Sequence, residues 1–270
     1  MPARKKSTVK RRKKRRNRGK IVLAVFLLIS VAILVGLSLT VFFNVTDIKV
    51  KGDTRYSSEE IIKESGIRVG DNMFLLADGK IEDELTEELP YLASVTLERN
   101  LPDKLVISVK EIAPEYAFKA DGKYLLVGKD KALDSVDKLP KNIALVKCDI
   151  EEYEIGKPFS IGEKEETFTK ITSALKENSL TKITEIDITD TSKITMVYDN
   201  RLNLEFGSME DLQKKMKKAV QIIKSVDADY NNKAMGTIRL QYEDGYFEKA
   251  TSSVEPTSSA QTSSQPSNQE

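Results

Sequence analysis

Histidine is absent from the 270 residues, and Cys148 is the only cysteine. Without imidazole, Ser-His and Cys-His catalytic pairs and histidine-ligated zinc have no place within the chain. With one thiol there is no intrachain disulfide framework. Cys148 lies at the end of an apolar run and reads as a small buried hydrophobe. Two further absences are local. The first twenty residues contain no acid, and residues 21–43 contain no ionisable side chain at all.

What stands in those places is informative. Twelve Lys and Arg crowd the first twenty positions. The uncharged run that follows makes a helix of roughly 35 Å, enough to cross about 30 Å of hydrocarbon with some tilt. It exceeds the h-region of a cleaved signal, and no small-x-small cleavage pattern follows Phe43. The expectation is a retained signal anchor, with the basic end held in the cytoplasm. Twelve of the 43 basic residues lie in the tail, leaving 31 against 42 acids, a net −11 for residues 21–270. An acidic outer portion gives no sign of a nucleic-acid groove. The basic tail reads as a topology determinant that also meets anionic headgroups. A nucleic-acid arm is the lesser reading, because the tail offers no aromatic side chain for stacking.

About 200 residues follow the helix. A boundary is expected near Ala113-Pro114, giving domains at 44–113 and 114–247 between a basic tail at 1–20, a span at 21–43 and a tail at 248–270. The first block reads β-α-α-β-β. Its strands are placed at 46–51, 95–99 and 104–110, where Leu105, Ile107 and Val109 alternate with Val106 and Ser108. A capping box, Ser57 with Glu60, opens a helix that Gly66 stops. A second helix at 78–89 carries Ile81, Leu85 and Leu89 on one face and is ended by Pro90. The second block holds extended runs at 123–127, 142–147, 184–188, 193–198, 202–206 and 237–242. Two helices interrupt them. One, at 164–178, has a Phe168, Ile171, Leu175 stripe; the other, at 208–226, has Ser208 as N-cap and Asp211 as its N3 acid. The last run, 237–242, reads as an exposed sheet edge. In residues 251–270, ten of twenty are Ser or Thr, a composition that does not bury enough surface to fold.

Catalytic patterns are thin. Ser-x-x-Lys occurs at Ser7/Lys10, Ser135/Lys138, Ser173/Lys176 and Ser179/Lys182, close to its chance frequency, with no Ser-Asp-Asn or Lys-Thr-Gly beside it. Asp227, Asp229 and Asn231 imitate an EF-hand opening, but Asn232 and Ile238 occupy the positions that need Gly and Glu, so they read as a polar loop. The sequon Asn44-Val45-Thr46 abuts the membrane. Glycines 66, 70 and 79 punctuate helices and turns rather than forming a phosphate loop. No catalytic residue, cofactor or metal is expected.

The outer portion resembles the FtsQ/DivIB bacterial cell-division proteins from about residue 45 to 247. The likeness is carried by IKVKGD (48–53), SSEEII (57–62), SGIRVGDNMF (65–74), PYLASVTLERNLPDKLVISVKEIAP (90–114), LNLEFG (202–207) and IRLQYEDGY (238–246). It departs from the family's pattern at Asp199-Asn200 and Gln241. The resemblance implies a membrane-anchored α+β protein, with one transmembrane helix, a POTRA domain, a mixed α/β domain built on an extended β-sheet, and disordered ends. It implies a non-enzymatic scaffold at the division septum that binds FtsL-type and DivIC/FtsB-type single-pass partners and so touches the septal wall synthase indirectly. The expected mode is strand addition to 237–242 and the turn at Gly245. Tyr242, Tyr246 and Phe247 are the expected aromatic anchors, with Ile238 and Leu240 on the strand and Arg201 and Leu204 beside it. For Ile238 and Leu240 the alternative is that they face the core. Two rival functions stand beside this one: a membrane-tethered wall enzyme of Ser/Lys type, and a POTRA-type transport or chaperone component.

Overall fold

The computed structural model describes residues 18–242 and 244–250. Most of the basic tail, Ser7/Lys10 included, and the Ser/Thr/Gln-rich tail from 251 onward lie outside the described residues. The chain divides into two compact units, Met1–Glu111 and Ile112–Glu270.

The first unit opens with α1, Arg18–Phe42, a 25-residue helix. Its window Gly19–Gly36 is long and apolar enough to cross a membrane, and none of it is buried in protein. A three-stranded sheet follows, made of β1 (Asp47–Lys51), β2 (Leu92–Asn100) and β3 (Lys104–Glu111) in the order β1-β3-β2. β1 runs parallel to β3, from Asp47 opposite Lys104 to Lys51 opposite Ser108, and β2 runs antiparallel to it. Because a parallel neighbour cannot be reached by a tight turn, the chain between β1 and β2 is free to build two helices, α2 (Ser58–Glu64) and α3 (Asp78–Glu88). Ser57 caps α2 by accepting the Glu60 N–H at 3.1 Å. The alternating residues Val95, Leu97, Leu105, Ile107 and Val109 turn one face of the sheet onto Ile61, Ile81 and Leu85. Arg99 clamps the segment between the helices. Its guanidinium grips Asp78 at 2.5 and 2.6 Å and donates to the Met73 carbonyl at 2.9 Å.

The second unit is one nine-stranded sheet. Its strands are β4 (Tyr116–Ala120), β5 (Lys123–Gly128), β6 (Lys131–Val136), β7 (Ala144–Lys147), β8 (Ile183–Asp187), β9 (Ile194–Tyr198), β10 (Leu202–Gly207), β11 (Gly236–Arg239) and β12 (Tyr246–Lys249). They lie in the order β12-β11-β10-β9-β8-β7-β4-β5-β6. β4, β6 and β12 have no counterpart among the sequence-based strands. Two of the neighbouring parallel pairs, β7/β8 and β10/β11, are joined by helices, α4 (Glu165–Glu177) and α5 (Leu212–Tyr230). The helices meet on one face, where Gln213 accepts from Asn178 at 3.3 Å and donates to Glu177 at 2.9 Å. Beneath them lies a single core containing Phe118, Val146, Cys148, Phe168, Ile171, Leu204, Phe206, Met216, Ile223 and Ile238.

Three expectations are corrected here. Helix α5 starts at Leu212, not Ser208: residues 208–211 form a turn ending at Asp211 in the left-handed region (φ +53°), and Asp211 makes no side-chain cap. Lys215, one turn into the helix, instead donates to the Phe206 and Ser208 carbonyls at 3.0 Å each. The helix also runs one turn beyond Val226, so Asp227 and Asp229 belong to it rather than to a loop, and Asn231 in the left-handed region ends it. Finally, 237–242 is not the sheet edge, because β12 returns and pairs along it.

Truncating Leu85, fully buried in the first unit, should lower unfolding free energy by about 2–5 kcal/mol. Leu75→Ala, on the surface, should change it by less than about 0.5 kcal/mol. Urea denaturation followed by circular dichroism compares the two.

Candidate functional site

The far end of the large sheet is built from β10, β11 and β12. The β11 main chain is used on both sides. Gly236 and Leu240 donate to the carbonyls of Arg201, just before β10, and of Glu205 within it, at 3.2 and 2.8 Å, so the even-numbered residues face β10. The odd-numbered Thr237 and Arg239 face β12, in register with Glu248 and Tyr246. The Ala250 N–H donates to the Met235 carbonyl at 2.9 Å, which extends the same ladder by one pair. Since hydrogen-bonded and non-hydrogen-bonded pairs alternate in an antiparallel ladder, Tyr246 and Glu248 spend their main-chain groups inward. Phe247 and Lys249 therefore turn N–H and C=O away from β11, toward the open side.

The side chains divide just as sharply. Leu204, Ile238 and Phe247 lie in register across three strands and pack into the core with Leu240. Leu204, Ile238 and Leu240 are fully buried, so they support the edge rather than touch anything beyond it. The reading of Ile238 and Leu240 as core residues is the one the structure adopts. Arg201 is also interior, with only 8% of its side chain exposed. It binds Asp227 of α5, Asp199 at 3.2 Å and the Ala234 carbonyl at 3.3 Å, tying the β9–β10 turn to the end of the helix and the entrance of β11.

What remains outside is an aromatic and charged rim. Tyr242 and Tyr246 are half-exposed, and their rings stack with centroids 6.0 Å apart. Gly245 makes the turn between them at φ +53°, where a Cβ would come within 2.9 Å of Lys218 Cδ. On the opposite face from the core, Arg239 bridges Glu205 at 2.7 Å and Glu248 at 3.0 Å. Phe247 sits 6.0 Å from the Tyr230 ring, over which the Lys249 ammonium lies at 4.9 Å. Sequence reasoning placed Tyr242, Gly245, Tyr246 and Phe247 at this end of the sheet but missed Arg239, Glu248 and Lys249. The signal available for them was Asp244-Gly245, a hairpin dipeptide between two extended runs.

Elsewhere, two lysines of the Ser-x-x-Lys patterns lie in ion pairs. Lys176 pairs with Glu115 at 2.9 Å, and Lys182 lies 3.9 Å from Asp199. Burial pushes the Cys148 thiol up to about 11. Among the described residues no cluster of three or more His, Cys, Asp or Glu could hold a metal.

Residues 43–111 match the sequence profile of the FtsQ-type POTRA domain. The chain is 31% identical to the cell division protein DivIB of Clostridium tetani (strain Massachusetts / E88), over 67% of its own length and 70% of the relative. The chain belongs to the DivIB/FtsQ family. DivIB of Clostridium botulinum (strain Loch Maree / Type A3) is 29% identical over 89% of this chain and 96% of that one. FtsQ of Corynebacterium glutamicum is 32% identical over a shorter stretch, 33% of this chain and 40% of the relative. The two Clostridium relatives are cell division proteins of DivIB type, and their alignments extend well past the POTRA unit, so the family likeness takes in residues of the large sheet as well.

Arg201→Met should cost about 2 kcal/mol of stability, because Asp227 and the Ala234 carbonyl lose a charged donor. Gly245→Ala should cost about 1–2 kcal/mol through its left-handed backbone, and Gly245→Asn less. Thermal melts of the three variants beside the parent check both statements.

Proposed function

We propose that this division protein is a single-pass scaffold with its N-terminus in the cytoplasm and its POTRA unit and large sheet outside the membrane at the septum. It binds the extracytoplasmic parts of FtsL-type and DivIC/FtsB-type proteins and through them helps to assemble the septal wall-synthesis machinery. The observation that carries this reading is the open side of β12. Strand addition needs a run of outward main-chain donors and acceptors with side chains that grip alternate residues of the guest. Phe247 and Lys249 supply the first, and Tyr242 and Tyr246 the second.

The competing edge of the same sheet is less suited. β6 already has its outer main chain engaged at Ala132, whose N–H donates to the Lys157 carbonyl and whose carbonyl accepts from Gly156, both at 2.9 Å. β12, by contrast, has a strand neighbour only on the β11 side among the described strands. Short length and charged side chains blunt a free edge against indiscriminate pairing. β12 has four residues, two of them charged, which favours a specific guest over self-association. The Arg239 bridge to Glu205 and Glu248 is solvent-facing and contributes little to affinity. It sets instead which charges the guest can carry.

Lys249→Pro removes one outward donor and leaves the inward ladder of Tyr246 and Glu248 untouched. It should keep the fold and weaken binding of a DivIC/FtsB-type ectodomain by about tenfold, a loss of roughly 1.4 kcal/mol. Tyr246→Ala should weaken it further, as expected for an aromatic anchor. Titration calorimetry with the purified partner decides. Unchanged affinity in a folded Lys249→Pro protein would place the partner elsewhere.

A further inference from the structure

We infer that one end of the POTRA unit is itself seated in the bilayer interface, through Val69, Phe74, Leu75 and Leu101. This rests on the reading of α1 as a membrane span.

Among the described residues outside α1, four large apolar side chains of this unit are exposed: Val69 (70%), Phe74 (51%), Leu75 (82%) and Leu101 (56%). They come from two segments far apart in sequence, and main-chain hydrogen bonds bring both to the same place. The Val45 N–H donates to the Asp71 carbonyl and the Gly70 N–H to the Val45 carbonyl, both at 2.8 Å; the Met73 N–H donates to the Phe43 carbonyl at 2.9 Å. On the other side the Thr46 N–H donates to the Asp103 carbonyl at 2.8 Å. Residues 43–46 are the first four after α1 ends at Phe42. The exposed apolar residues thus surround the point where the chain leaves the span, and the Phe43 and Phe74 rings meet edge-on at 5.1 Å.

The sheet has the matching polarity. β1 and β3 both begin at this end, with Asp47 opposite Lys104, while the Leu92–Glu111 end of the sheet lies several residues farther along the strands. The acids of the two loops are turned to internal use. Asp71 accepts the Arg68 N–H at 2.8 Å and Asp103 accepts the Thr46 hydroxyl at 2.7 Å. Arg68 and Lys104, both exposed, flank the apolar residues. An apolar tip ringed by cations, continuous with a membrane helix, has the composition of a surface that enters the headgroup and acyl boundary by about 5–10 Å. A protein partner would not require the patch to encircle the exit of the span. Lipid does.

Such seating would restrict the unit's tilt and give the rest of the ectodomain a defined starting height above the membrane. The test uses the full chain in vesicles of phosphatidylcholine and phosphatidylglycerol. Nitroxides are attached singly to Val69→Cys, Leu75→Cys and Leu101→Cys, and power saturation with oxygen and a water-soluble nickel chelate reports depth. Cys148 is buried and its thiol is held protonated, so the unsubstituted chain supplies the labelling blank. Ser94→Cys, six residues along β2 from Asn100 and so roughly 20 Å away, is the aqueous control, and Leu28→Cys is the control for the span. The oxygen-to-nickel accessibility ratio at positions 75 and 101 should exceed that at 94, because apolar oxygen enters the headgroup and acyl boundary and the water-soluble chelate does not. If Leu28 reports the bilayer interior while positions 69, 75 and 101 match Ser94, the seating is wrong and the span stands. If Leu28 itself reads as aqueous, the span fails and the seating with it.

Discussion

Two strands that lie side by side and point the same way cannot be joined by a turn; the chain must travel back along the sheet first. In the large unit this requirement falls on β7/β8 and again on β10/β11, and each time a helix makes the return. Both helices come to the same face, so their apolar stripes, Phe168 to Leu175 and Leu212 to Val226, share one core with the inward residues of the strands. The second crossover also determines what happens at the end of the sheet. It delivers β11 beside β10 with its other side unpaired, and the hairpin through Gly245 lays β12 along that side. The unit therefore closes on a four-residue strand rather than on β11.

If the edge binds a guest strand as proposed, that arrangement separates stability from recognition. Leu204, Ile238 and Phe247 form a continuous row beneath α5, and Arg201 fastens the helix end to the strand entrance. Residues that hold the edge in place are thereby withdrawn from it. What the edge displays is main chain from Phe247 and Lys249, two stacked tyrosines, and a salt-bridged row on the solvent face. Main-chain hydrogen bonds are indifferent to sequence, so selectivity in such a surface has to come from the aromatics and from charge placement.

The smaller unit meets a different demand. On the reading of α1 as a membrane span, a domain tethered to it at its first strand has one end that water never fully surrounds. The apolar residues its core does not use are gathered at that end, by hydrogen bonds that a soluble loop would make just as readily. The same loops engage the carboxylates of Asp71 and Asp103 in hydrogen bonds of their own. On that reading, anchor and domain are continuous chemically as well as covalently.

Much of this was legible in the residues. An uncharged run of 23 positions behind twelve basic ones has few physical solutions. The alternation in Leu105, Ile107 and Val109, the Ser57 cap and the four-residue spacing of Ile81, Leu85 and Leu89 specify local conformation through contacts within a turn or across a hairpin. Residues 237–242 show where that stops. Their period of two says strand and says which side chains share a face, and Ile238 and Leu240 do share the core face. Which strand ends the sheet depends instead on whether a further run folds back along this one, as β12 does through the hairpin at Gly245, and the alternation in 237–242 carries no information about it. Arg201 is the same case: an arginine after a turn reads as surface, and only the approach of Asp227 from α5, 26 residues later, makes it interior. The sequence by itself determined a helix long and apolar enough to cross a membrane, the POTRA order of elements and the family. The tertiary structure decided which main-chain groups are left over, because a hydrogen-bonding edge is defined by what does not pair with it.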